Sequence, residues 1–192
     1  LTLNASGKTV TVAIADTSTT PVTQRSFTKS AADIAVNNAI TGNNAVTVTT
    51  PSDGASTVVL DTDGITSDGG FVISGDSNTT VTSGAFSDTI TVDSEGNTTV
   101  TSGAGNDTVN VIGNGNNTVT SGAGNDTVTI SGTGNSTINV GAGNDAVSTG
   151  SGNDTINIGS GDFSTADTID AGTGTDTVVI TGTGNTITDT DQ

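Results

Sequence analysis

No cysteine, histidine, tryptophan, tyrosine or methionine occurs in the 192 residues of this chain, which also holds only four phenylalanines, two prolines and three basic residues. Without cysteine there is no disulfide framework, which leaves the compartment open, since disulfides are common rather than obligatory outside cells. Without cysteine or histidine, zinc, copper and iron lose their usual ligands. The basic residues Lys8, Arg25 and Lys29 all sit near the N-terminus, and the net charge is −17. That balance excludes a cationic surface for nucleic acid and repels anionic lipid. No stretch is long and apolar enough to insert into a membrane. The hydrophobic fraction of 30% lies well below the roughly 45–50% of ordinary domains, so a conventional packed core is not expected. Low hydrophobicity with charge of one sign is a signature of disorder. The chain therefore either stays unfolded or takes its counter-charge from elsewhere. Its length suits one domain with a small cap, and a start at Leu1 rather than Met is expected of a processed product.

What the chain has in abundance is Gly, Thr, Asn and Asp, arranged as a repeat. GAGNDTV stands at 103–109 and again at 122–128, with GAFSDTI from Gly84 and GAGNDAV from Gly141, all in steps of 19. A second phrase alternates with it in the same steps: GDSNTTV from Gly75, SEGNTTV from Ser94, GNGNNTV from Gly113 and GTGNSTI from Gly132. Each turn is followed by a run such as TVTI, where polar and β-branched apolar residues alternate with the period of a half-buried strand. Weaker copies begin at Ile40, Ser52 and Ile65 upstream and at Gly150, Gly172 and Gly182 downstream. The half-turn between Gly150 and Gly172 is too long. It is anchored on Asp167-Thr168-Ile169, with the surplus looping out near Asp162 and Phe163.

Two turns and two strands per coil give the fold class: all-β, a parallel, β-roll-like solenoid of roughly seven ~19-residue coils, about 35 Å long at the strand spacing. The solenoid is expected over residues 40–192, most regular over 75–188. Val81, Ile90, Val100, Val109, Val119, Val128, Ile138 and Val147 are predicted to point inward, with a second layer at Val92, Val111, Ile130 and Val140. Residues 1–39 do not follow the repeat. There LTLNASGKTVTVAIA predicts one or two strands, and Ser30-Ala31-Ala32-Asp33 resembles a capping box opening a short helix through about Asn38. A cap is expected because the first coil of a solenoid is an exposed sheet edge. The C-terminal TDTDQ offers no evident counterpart.

Position four after the leading residue is Asp88, Asp107, Asp126 and Asp145 in one set of half-turns, and Thr79, Thr98, Asn117 and Ser136 in the other. Stacking same-side half-turns makes one edge charged and the other neutral, with carboxylates about 5 Å apart. At an effective dielectric of about 20 such neighbours repel by about 3 kcal/mol per pair, so the column requires cations between its rungs. Ligation by oxygen alone selects a hard ion, and flexible, high coordination suits Ca²⁺ better than Mg²⁺. Turns that aim carbonyls inward require glycine, here Gly103 and Gly105, Gly122 and Gly124, and Gly141 and Gly143. A single Asn-Asp turn would be ordinary, but four copies at one spacing point to calcium.

SGAGNDTVN at 102–110 resembles the nonapeptide G-G-x-G-x-D-x-U-x of RTX (repeats-in-toxin) proteins. The resemblance covers roughly 75–188, with Ser in place of the first Gly and with alternate half-turns lacking the Asp. It implies ions held between successive same-side turns by carboxylates and turn carbonyls. These would lie between Asp88 and Asp107, Asp107 and Asp126, and Asp126 and Asp145. Asp167 would extend the row and Asp154 with Asp176 would hold another on the opposite edge, about four or five Ca²⁺ ions in all. The family also occurs in bacterial surface-layer proteins, adhesins and a calcium-dependent ice-binding solenoid.

The chain is read as a non-enzyme. Parallel β-helix lyases typically use a cationic base, which residues 34–192 lack, and the regularity of the Asp column suits repeated structural sites better than one glycosidase pair. The expected role is an extracellular structural protein that self-associates into a filament, biofilm matrix or surface layer. The alternative is adhesion to ice, a cell or a glycan through Thr ranks such as Thr80/Thr82, Thr99/Thr101 and Thr118/Thr120 on one face and Thr89/Thr91 and Thr127/Thr129 on the other. Against ice, Ala104, Ala123 and Ala142 replace the Thr that contacts ice in the similar solenoid.

Overall fold

The computed structural model describes the strands within residues 2–75 and the continuous stretch 78–184, with side chains described at 72–74 and 78–184. All regular elements among these residues are strands. The first four are β1 (Thr2–Ala5), β2 (Thr9–Asp16), β3 (Thr23–Ser30) and β4 (Ile34–Ala35). Short strands then follow in pairs: β5 (Asn44–Thr49) and β6 (Thr57–Asp61), β7 (Gly69–Gly75) and β8 (Asn78–Thr82), β9 (Asp88–Ser94) and β10 (Thr98–Thr101). The remaining pairs are β11 (Thr108–Val111) and β12 (Thr118–Thr120), β13 (Thr127–Ile130) and β14 (Thr137–Val140), β15 (Ala146–Ser148) and β16 (Thr155–Ile158), and β17 (Thr168–Asp170) and β18 (Thr177–Ile180).

From β5 onward, odd strands stack in one sheet and even strands in the other, every neighbouring pair parallel. Seven parallel strands per sheet make six steps from the first coil to the last. This is the expected parallel β-solenoid. Register follows the repeat residue for residue: Ile90 pairs with Val109 and Val109 with Val128, each 19 residues on. Along each strand burial alternates, as in β11 and β14, where the second and fourth residues are buried. The inward set of Val and Ile is the core cluster, joined by Ile73, Ile156 and Ile158. Each fully buried aliphatic side chain contributes roughly 1.5–3 kcal/mol. In so thin a column, these are nearly all the apolar contribution available.

The long half-turn resolves as anticipated. Val147 pairs with Ile169 and Asp145 stands opposite Asp167, so the surplus lies between Ile158 and Asp167. Phe163 packs partly buried against the end of the core.

Two expectations need correction. The short helix expected over 30–38 is not formed by its described residues: Ser30 closes β3, and Ile34–Ala35 is strand β4, paired antiparallel with β1. The open edge of a solenoid coil offers unpaired backbone groups, and strands satisfy these directly where a helix does not. Second, the half-turn from Ser52 sets Val58 in the column of Val81, whereas Leu60 occupies it and Val58 pairs with Thr79. A two-residue shift leaves the same side chains on the same face, so alternation alone does not distinguish the two registers. The half-turn from Gly182 and the C-terminal TDTDQ extend into 185–192, outside the described residues.

Because Ile138 is fully buried, replacing it with Ala should lower stability by about 2–5 kcal/mol, read from denaturant unfolding of the folded, calcium-loaded chain. Thr99→Ala, on the exposed face of β10, should change it by less than about 0.5 kcal/mol.

Candidate metal centre

Each Asp of the charged edge follows the Gly-rich turn at the start of a strand: Asp88 is the first residue of β9, and Asp107, Asp126 and Asp145 immediately precede β11, β13 and β15. Asp88, Asp107, Asp126 and Asp145 are almost completely buried, because the turn folds them inside the coil rather than out to water. The backbone N–H of Asp88 donates to Oδ1 of Asp107 (2.8 Å), that of Asp107 to Asp126 (2.9 Å), that of Asp126 to Asp145 (2.8 Å) and that of Asp145 to Asp167 (2.7 Å). The structure thus joins five of the expected carboxylates in one ladder. On the opposite edge, the N–H of Ser136 donates to Asp154 Oδ1 (2.7 Å) and that of Asp154 to Asp176 Oδ1 (2.9 Å). That edge begins neutral, with the N–H of Thr98 donating to Asn117 Oδ1 (3.2 Å).

The second carboxylate oxygen is what remains. Oδ2 of Asp107, Asp126 and Asp145 is buried and has no hydrogen-bond partner. A buried anion left in that state is expensive unless a cation meets it, and the chain contains no Lys or Arg after Lys29. Burial raises the carboxyls of Asp107 and Asp145 to about 6, against the lowering effect of the amide that donates to each and, at Asp107, of the nearby Ser102 hydroxyl, and neighbouring carboxylates add to the rise. Asp126 is raised for the same principal reason. Among the described residues no three acidic side chains converge on one point. A cation here therefore draws on carboxylates from successive coils together with backbone carbonyls.

The turn glycines bring those carbonyls close. Gly105 has φ +117°, and a Cβ on it would lie 2.6 Å from the carbonyl carbon of Phe86 in the coil before. No L-residue fits that approach without moving backbone. Gly103, Gly122, Gly124 and Gly143 share the positive φ, while Gly141 does not and is restricted by close contact with Gly122 alone. Between these glycines, Ala104, Ala123 and Ala142 bridge one another in parallel, and their N–H groups donate to the carbonyls of Gly84, Gly103 and Gly122. A carbonyl oxygen has a second lone pair, so each remains available to an ion.

Two further kinds of ladder were not recognised as such in the sequence. Asn125 N–H donates to Asn106 Oδ1 (2.8 Å) and Asn144 N–H to Asn125 Oδ1 (2.9 Å). On the other edge the same file runs through Asn78, Asn97, Asn116, Asn135 and Asn153. Asn accepts from the coil after it and Asp from the coil before it, so each Asn-Asp pair clamps in both directions. The signal was present, Asn recurring at position three of nearly every half-turn, but it read as turn chemistry. The serines that replace the first Gly form the second ladder: Ser102 Oγ donates to the carbonyl of Ser121 (2.8 Å), and Ser83 to that of Ser102.

Compared with known families, residues 92–128, 130–162 and 164–178 match the model of the RTX calcium-binding nonapeptide repeat (4 copies). Residues 92–178 are RTX-like repeats. RTX repeats bind calcium, and the oxygen-only donor set with its unpartnered, buried Oδ2 atoms fits that ion. No curated protein and no solved structure matches the chain.

The raised carboxyls set a pH dependence for the RTX coils without metal. A folded-state value near 6 for Asp107 and Asp145, above the usual 3.8, means the folded state holds protons that the unfolded state releases. This contribution to stability is complete below about pH 4 and is lost as pH rises through about 6. In chelator, circular dichroism should therefore report more β-structure at about pH 5 than at about pH 7.5, and calcium should abolish the difference. Equal β-content in chelator at both values would contradict the buried-carboxylate account.

Proposed function

We propose that this chain is an extracellular, calcium-stabilised structural protein whose rod-like solenoid self-associates into a filament, biofilm matrix or surface layer. The observation that carries the reading is the ladder of buried carboxylates with unpartnered Oδ2 atoms at Asp107, Asp126 and Asp145. It makes the fold conditional on an external divalent cation, a condition suited to a chain exported through a low-calcium compartment and folded where calcium is abundant. RTX-repeat proteins are typically secreted, which agrees with this placement.

Ions lie between Asp88 and Asp107, Asp107 and Asp126, and Asp126 and Asp145, with Asp167 prolonging the row. One more lies between Asp154 and Asp176, giving about four or five Ca²⁺ ions held by carboxylates and turn carbonyls. At a calcium concentration 100 times the dissociation constant, each site adds about 2.7 kcal/mol. Several such sites exceed the marginal stability of a domain with so little apolar surface. The repeat distributes identical sites along a rod and, among the described residues, builds no single convergent constellation, which supports a structural role over catalysis.

A second reading, adhesion to ice, a cell or a glycan, has one observation in its favour. Thr80, Thr99, Thr118, Thr137, Thr155 and Thr177 form an unbroken register file on one sheet. The parallel file Thr82, Thr101, Thr120 is broken by Asn139, Asn157 and Val179. Thr is also the polar residue best suited to an exposed strand, so the file alone favours no ligand.

The test is a Ca²⁺ titration from chelator, followed by circular dichroism and sedimentation velocity, with Mg²⁺ as control. Calcium alone should convert a largely disordered chain to β-structure, and larger species should follow folding. A chain fully folded in chelator at neutral pH would sink the reading. Asp126→Ala should raise the calcium concentration at the folding midpoint at least several-fold, since it removes a ligand from two proposed sites.

A further inference from the structure

Among the described residues, the sheet of odd strands ends at β3 and β17, and the sheet of even strands at β4 and β18. The direction of these terminal strands matters. β2 runs antiparallel to β5, and β3 runs antiparallel to β2, so β3 points the same way as β5 and every odd strand to β17. In the same way β1 is antiparallel to β6 and β4 to β1, so β4 points the same way as β18. The two strands added at the N-terminal end of each sheet restore the polarity of the stack.

Register is kept as well. Ile34 shares a ladder with Leu3, Leu60, Val81, Val100, Val119, Ile138, Ile156 and finally Val178. Val81 through Ile156 are fully buried in this file, yet Val178, at the same inward position, is 44% exposed. Arg25 shares the other ladder, through Ile14, Val46 and Phe71, with Ile90, Val147 and Ile169. Ile169 stands two residues along from Asp167, the last carboxylate of the described column. Charge is divided between the ends. β3 carries Arg25 and Lys29 and no acidic residue, whereas the last coil carries Asp167, Asp170 and Asp176 and no basic one.

We propose that copies of this chain stack head to tail, β3 and β4 of one molecule continuing in parallel the sheets that end at β17 and β18 of the next. The arrangement rests on the calcium-stiffened, self-associating rod argued above and specifies its contact. It sets Ile34 over Val178, which is exposed at the end of that ladder, and Arg25 in register with Ile169, two residues along from the last carboxylate of the described column. Tail-to-tail pairing would instead oppose two acidic ends, and head-to-head two basic ones. Cations on an edge strand also discourage indiscriminate strand pairing, so the N-terminal edge admits an acidic partner and rejects its own kind. A head-to-tail contact is heterologous and does not close, so it propagates as a filament.

The absence of native cysteine makes the contact directly testable. Neighbouring strands lie about 4.8 Å apart, within the roughly 4.4–6.8 Å Cα separation that a disulfide spans. Ile34→Cys and Val178→Cys single variants, the double variant and the parent are folded in calcium, checked by circular dichroism and mildly oxidised. Non-reducing gels should show a ladder of covalent oligomers for the double variant, dimers for the mixed single variants and monomer for each single variant alone. In sedimentation velocity, the otherwise native Arg25→Glu/Lys29→Glu variant should need about tenfold more protein to assemble, equivalent to about 1.4 kcal/mol.

Cross-linking of Val178→Cys with itself would establish tail-to-tail pairing and overturn the proposal. Assemblies in sedimentation without cross-linking between positions 34 and 178 would mean lateral contact, which overturns this geometry while leaving self-association intact. A parent chain that folds in calcium and stays monomeric at every concentration would remove both.

Discussion

Everything in this fold depends on carboxylates buried where no side chain can neutralise them. In each RTX coil one oxygen of the Asp is engaged by an amide of the coil before, and this bond sets the register of the turn. The geometry that provides the bond also takes the carboxylate out of water, and at Asp107, Asp126 and Asp145 the other oxygen is left without a donor. Had the sequence placed a lysine nearby, the column would be an ordinary internal ion-pair ladder. With the basic residues confined to positions 8, 25 and 29, the counter-charge must come from solution. The thin core makes that dependence decisive, because a narrow column of Val and Ile supplies too little burial to override unfavourable electrostatics.

The solenoid is close to one-dimensional, each coil touching only its neighbours, so stability is approximately a sum over coil-to-coil steps. The Asn-Asp pair makes every step reciprocal. Asn125 takes its donor role toward the coil before through Asn106, while Asp107 of that coil donates its N–H forward to Asp126. Both bonds span the same gap as the proposed ion. Loss of charge neutralisation therefore loosens two backbone contacts along with the ligand shell, and a local site becomes a cooperative element. The glycines are the geometric condition for this. At Gly105 a side chain would force adjacent coils apart, and the carboxylate, amide and carbonyls would no longer meet.

How legible this was in the sequence can be traced residue by residue. Period-two alternation and the 19-residue step located the core ladder from Val81 to Val147 because in a repeat every copy reports the same register. The anchor on Asp167-Thr168-Ile169 across the overlong half-turn holds for the same reason, since one matched strand fixes the loop length before it. The sequence was silent where copies are degenerate or absent. Val58 and Leu60 lie on the same face, so choosing between them required the neighbouring strand. Ser30 to Asn38 carries a local helix-start pattern, but the described residues within it, Ser30, Ile34 and Ala35, serve the sheet edge. Long-range pairing outweighed local propensity there. The Asn ladders escaped because the residue that suits a tight turn is also the residue that bonds the next turn. The Asp column could be seen as a column, but not that its members are buried, and burial is what converts repulsion among surface charges into a requirement for an ion.

A one-dimensional fold leaves its interactions unfinished only at its ends, and the two ends of the described stack differ in kind. At the start, strands were added in antiparallel pairs, β1 with β4 and β2 with β3. One antiparallel strand would have closed each sheet with reversed polarity, against which a parallel coil cannot continue in the same pattern of bonds. Two restore the direction of the stack while placing Arg25 and Lys29 on the outermost strand. At the far end Val178 and Ile169 close the core only partly, beside carboxylates that repel any copy of themselves. A cap needed merely to block aggregation would not have to preserve strand direction, register and charge complementarity together. Their coincidence is what an edge must have if it is to accept one specific neighbour, the opposite end of the same molecule.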